Sequence, residues 1–136
     1  MNEKSSELQT PITFRGYRIK QLEYGFDVKP AKNGMKIQYG VSDDKKHGQV
    51  TFLVEFNDDK EVAHGILQLV GQFDLRDNLS EEDIAIFLGQ NGSAILYPYV
   101  RSVISMVTSL DNNHVQILPT LNFANLLRNN KISREE

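Results

Sequence analysis

Cysteine is absent from this 136-residue chain, so disulfides, zinc ribbons, thiol nucleophiles and thiolate redox chemistry are excluded. A basic excess is missing too: 15 Lys and Arg against 18 Asp and Glu leave a net charge of −3, which is not a nucleic-acid footprint. No run approaches the ~18 apolar residues of a spanning helix, because Arg101 and several Ser and Thr positions interrupt the greasiest segment. The opening, Met1 to Glu7, is polar and lacks the apolar centre of a signal peptide, so the expectation is a cytoplasmic protein without membrane insertion. Repeats are lacking as well. The length suits one domain that buries roughly two thirds of its unfolded surface.

Catalytic constellations are equally scarce. His47, His64 and His114 fall in a polar loop, a strand and a turn, with neither an i, i+4 pairing nor the carboxylates of a metal site. Ser102, Ser105 and Ser109 lie on a helix rather than in a nucleophile elbow. Gly89-Gln90-Asn91-Gly92 lacks the Lys-Ser/Thr of a phosphate-binding loop and reads as a break between two helices. Asp43-Asp44 and Asp58-Asp59 sit in polar turns, where aspartate serves backbone hydrogen bonding. The reading is a protein that is not an enzyme and needs no metal or cofactor.

What the chain does have is alternation, then grease. Residues 1–13 show no period and read as a flexible arm, followed by a single domain over 14–130 and a flexible tail over 131–136. Leu22, Tyr24, Phe26 and Val28 alternate with polar residues or glycine, as do Met35, Ile37, Tyr39 and Val41 after the Asn33-Gly34 turn. Val50, Phe52, Val54 and Phe56 make a third strand. A fourth, over about 61–73, has neither face strongly polar. Ser80 and Asp83 approximate a capping box for a short helix over 81–88, and Asn122 is a candidate N-cap for a last helix over 123–130. Between them runs a long helix from Ser93 or Ala94 to Ser109. Strands followed by helices indicate an α+β fold: a four-stranded antiparallel sheet with a long helix and a short C-terminal helix packed on one face.

The long helix carries Leu96, Tyr99, Val100, Val103, Ile104, Met106, Val107 and Leu110 around most of its circumference, more apolar surface than one small subunit covers. A second subunit is expected on it. Leu96-Tyr97-Pro98-Tyr99-Val100-Arg101, a long apolar helix, a polar turn, Leu118-Pro119 and then Asn122-Phe123 before Leu126-Leu127 together resemble the C-terminal half of SecB, the ATP-independent bacterial export chaperone. With the strand order upstream, the resemblance covers residues 17–127.

The resemblance implies a homotetramer, a dimer of dimers that pairs first strands and sandwiches the long helices, with Leu96, Tyr99, Val100, Val103 and Val107 at the oligomer interface. It implies unfolded polypeptide clients held without ATP in grooves between the second strand and the last helix. Met35, Ile37, Tyr39, Phe123, Leu126 and Leu127 match the client-groove positions, although Phe123 and Leu126 suit an intramolecular core equally well. Glu23 and Asp27 match acids that the family presents to the SecA translocase, while His64 and Ile66 stand where an apolar residue and an acid belong. SecB-like proteins also serve toxin-antitoxin systems by binding an antitoxin, which gives a second implied partner. The alternative from another class is a scaffold or ligand-binding protein whose greasy helix only mediates assembly.

Overall fold

The computed structural model describes residues 10–28, 34–57, 63–110 and 115–135. Most of the expected arm, the Asn33 turn position, the polar connection at 58–60 and the helix stop at 111–113 lie outside them. Five strands form one sheet: β1 (Ile12–Gly25), β2 (Gly34–Val41), β3 (His47–Asn57), β4 (His64–Leu75) and β5 (Ile132–Arg134). Their order is β1-β4-β3-β2-β5, antiparallel throughout except that β5 lies parallel to β2.

The α+β class and the one-sided helices agree with the expectation; the strand count does not. β5 arises where a flexible tail was expected, and its cause is local. Asn122 caps α3 (Phe123–Arg128) by accepting from the Asn125 N–H at 3.1 Å. At the other end Asn130 takes a left-handed φ of 60°, while the Lys131 N–H donates to Leu126 and that of Asn130 to Leu127. That paired closure turns the chain sharply and aims it along β2.

β2 and β3 follow their period-2 pattern: Ile37, Tyr39, Val50, Phe52, Val54 and Phe56 all point to the helix side and are buried. β4 supplies Leu67, Leu69 and Phe73 to that face, and Val70 on the other is also buried, as the double-sided apolar pattern implied. β1 begins at Ile12, inside the expected arm, because Ile12 pairs with Leu75 and is buried. Its register shifts between Phe14 and Gly16 and between Ile19 and Gln21, with Gly16 at φ 111°, a conformation open to glycine.

The helical layer is continuous over 81–109. α1 (Glu81–Ile84) opens with the expected Ser80–Asp83 capping box, and α2 (Ser93–Ser109) follows after a π-helical stretch, Ala85–Gly92. The break expected at Gly89-Gln90-Asn91-Gly92 is therefore a widened turn rather than an interruption. Close approach explains its glycines: a Cβ on Gly89 would stand 3.0 Å from the Tyr39 ring, and one on Gly92 3.1 Å from Val50. Gly89 lets the helix settle on β2. Pro98 lies within α2 on its exposed side, and the helix continues through it.

Leu96, Val100 and Ile104 recur at i, i+4 and i+8 and are fully buried against the sheet. Tyr97 stacks near Phe52 and meets Phe123 edge-on at 5.4 Å, while its hydroxyl donates to the Pro119 carbonyl at 2.5 Å. The Tyr97-Pro98, Leu118-Pro119 and Asn122-Phe123 pieces of the sequence signature thus meet at one point. It is the joint that docks the last helix.

Candidate functional site

Beside the joint, the last helix and the start of β2 each keep some apolar surface. Phe123, Leu126 and Leu127 on α3 and Met35 at the start of β2 pack against the core yet stay half-exposed. A depression of about 550 Å³ opens beside Phe123, lined also by Gln90, Ala94 and Leu121. Ile37 and Tyr39 stand apart from these four. They keep only 3% and 7% of their surface, Tyr39 against Gly89 of the π-helical stretch and Ile37 paired with Ile132 of β5, and belong to the subunit's own core.

A second apolar surface lies at the opposite edge of the sheet. Tyr17, Ile19 and Leu22 project from the helix side of β1 with 40%, 45% and 39% exposure, because the helical layer stops short of them. Tyr99 reaches toward them, its ring 4.8 Å from that of Tyr17 and 5.6 Å from that of Phe14. Ile95 and Met106 continue the stripe along α2. Of the five residues expected to contact another subunit, Leu96 and Val100 are turned to the sheet and present no surface, whereas Tyr99, Val103 and Val107 retain some. Tyr17, Ile19 and Leu22 were missed, since two bulges break the alternation that would have grouped them.

Glu23 and Asp27 are exposed, Glu23 on the face of the sheet away from the helices opposite Ile66, Asp27 just beyond the end of β1. A depression of about 690 Å³ joins them with Leu22, Tyr24, Val28 and Ile66. The same outer face carries Asp74, which accepts from Arg15 Nε at 2.5 Å and faces His47 Nδ1 at 3.0 Å. Those two hydrogen bonds, Arg15 first, hold its carboxyl below the usual carboxylate range. The pairing is present at neutral pH and is lost as acid protonates Asp74. Burial pushes the Tyr97 hydroxyl up, so it stays a donor to Pro119 across the physiological range.

Among the described residues no group of three or more His, Asp or Glu is placed to hold a metal ion, and no helix is long and apolar enough to cross a membrane. What the described residues do present is half-exposed apolar side chains on α3, at the start of β2 and along β1 and α2.

An uncharacterised protein of Methanocaldococcus jannaschii is 26% identical over 139 residues, spanning 92% of this chain and 88% of its own. The fold matches that of the Mycobacterium tuberculosis SecB-like chaperone Rv1957, solved in complex with a peptide from the HigA1 antitoxin. That match has a TM-score of 0.66 at 16% identity over 85% of this chain and 91% of that one. A Streptococcus agalactiae protein of unknown function also matches in fold, with TM-score 0.52 and 13% identity over 80% and 97% of the two chains. The sequence profile of the family described as preprotein translocase subunit SecB matches residues 31–134, well over half of the chain. The chain therefore belongs to the SecB family, whose members are chaperones rather than enzymes.

Proposed function

We propose that this protein is an ATP-independent holdase that keeps unfolded or preprotein clients soluble in the cytoplasm. The observation that carries the reading is the half-exposed set Met35, Phe123, Leu126 and Leu127, apolar side chains that pack against the core yet keep surface in a chain of the SecB family. Extended polypeptides bind such a surface through many weak apolar contacts and main-chain hydrogen bonds, which tolerates varied client sequences. No nucleotide is needed for that physics.

The assembly is a homotetramer, two dimers joined across the long helices, supported by the uncovered Tyr17, Ile19, Leu22, Tyr99 and Met106. Glu23 and Asp27 are the docking acids for SecA in this reading, supported by their exposure. A dedicated antitoxin is the other client to consider, because the fold is shared with a SecB-like chaperone solved with an antitoxin peptide. The test is light scattering from a chemically unfolded protein diluted into buffer without ATP. Suppression at about one tetramer per client, unchanged by added ATP, is expected; aggregation as fast as in the protein's absence sinks the holdase and leaves the scaffold reading.

A further inference from the structure

The outer edge of β2 is occupied by the chain itself. β5 pairs with it in parallel, Ile37 with Ile132, Gln38 with Ser133 and Tyr39 with Arg134, and the Glu135 N–H extends the ladder by donating to the Tyr39 carbonyl at 2.7 Å. Two of its side chains enter fitted places on opposite faces of the sheet. Ile132 is buried on the helix side, next to Tyr39 and 3.6 Å from where a Gly89 Cβ would stand. Glu135 lies on the other side, its carboxylate accepting from Gln49 Nε2 at 3.0 Å and Thr51 Oγ1 at 3.1 Å.

Gly40 makes the second place possible, because a Cβ there would stand 2.6 Å from the Glu135 carboxylate oxygen. An apolar slot, an acid-accepting slot three residues on and a strand edge between them form a site that reads an extended peptide. The occupant is short. β5 has three residues, at the short limit for strands, and only Ile132 among them is buried. The ion pair from Arg134 to Glu81 is largely exposed on both sides and adds little.

We propose that the β2 edge is a strand-acceptor site for non-native segments of the pattern apolar-x-x-acidic, and that Ile132-Ser133-Arg134-Glu135 is a displaceable stand-in that competes with them. This rests on the holdase reading and gives it a recognition rule. A stand-in that fills the site nine-tenths of the time weakens apparent client affinity about tenfold.

The absence of cysteine allows a clean test on the full chain. Gln38→Cys with Ser133→Cys places two thiols on directly paired residues, close enough for a disulfide that staples β5 to β2. The probe is a fluorescein-labelled, reduced and carboxymethylated lactalbumin, read by anisotropy. The oxidised variant is expected to bind it roughly tenfold or more weakly than the same variant reduced. Equal affinity in the two states, with the disulfide confirmed by mass, overturns the stand-in while leaving the holdase intact. Binding by neither state nor by the unmodified chain overturns the holdase itself. With the reduced variant, a Leu-x-x-Glu peptide is expected to displace the probe several-fold better than its Gln counterpart; equal displacement removes the acid slot.

Discussion

Tyr99→Asp is expected to leave each subunit folded and to break the native assembly into smaller species. Tyr99 is 39% exposed and sits at the junction of the β1 edge and the α2 stripe, between Tyr17, Phe14 and the outer residues Ile95 and Met106. Within the subunit it contributes ring contacts, worth about 0.5–1.5 kcal/mol per pair beyond the area they bury. That loss is tolerable against a total stability of about 5–15 kcal/mol. Across an interface the same substitution sets a carboxylate against apolar surface, where an unpaired charge costs several kcal/mol and occurs in every copy. Native mass spectrometry reads the assembly and far-UV circular dichroism reads the fold. A helical spectrum with the tetramer mass lost is the expected pair of results; an unchanged mass removes this stripe from the interface. The same experiment on Val100→Asp separates the two sides of α2, since Val100 is fully buried against the sheet.

Tyr39→Asp is expected to unfold the chain rather than to weaken client holding selectively. The family resemblance implied a place for Tyr39 in the groove, where an acid would repel clients and spare the fold. In the structure its ring lies under Gly89 and beside Ile132, with 7% exposure. Truncating a buried large aromatic costs about 3–5 kcal/mol, and leaving a carboxylate in its place adds the cost of burying a charge. The sum approaches or exceeds the stability of a domain this size. Chemical denaturation followed by circular dichroism checks it. Loss of the folded baseline without denaturant is expected; a cooperative transition near that of the unaltered chain places Tyr39 at the surface after all.

These two tyrosines show where the sequence was legible. Alternation in β2 and β3 was readable because one face is buried and the other wet, which forces a period of two. The capping box at Ser80 and the cap at Asn122 were readable because each satisfies backbone groups with its own side chain. The long helix was recognisable as greasy on all sides, but its phase was not. Leu96 and Val100 point to the sheet while Tyr99 and Met106 point away, and hydrophobicity alone does not tell these faces apart. β1 was obscured by its two register shifts. β5 was unreadable as a strand, three residues being too few to show a period, although Asn129-Asn130 carried the signal for a left-handed helix stop. Ile37 and Tyr39 looked available because they match the family's groove positions, whereas here they pack into the subunit's core.

In the proposed assembly the apolar surface is divided: the β1–α2 face serves self-association and the depression beside α3 is left for non-native chains. Hydrogen exchange on the assembled protein, with and without a saturating unfolded client, tests that division directly. Added protection is expected in α3 and β2, residues 123–128 and 34–41, with β1 and α2 unchanged because the proposed assembly covers their face. Protection gained on β1 and α2 instead, or nowhere, would contradict it.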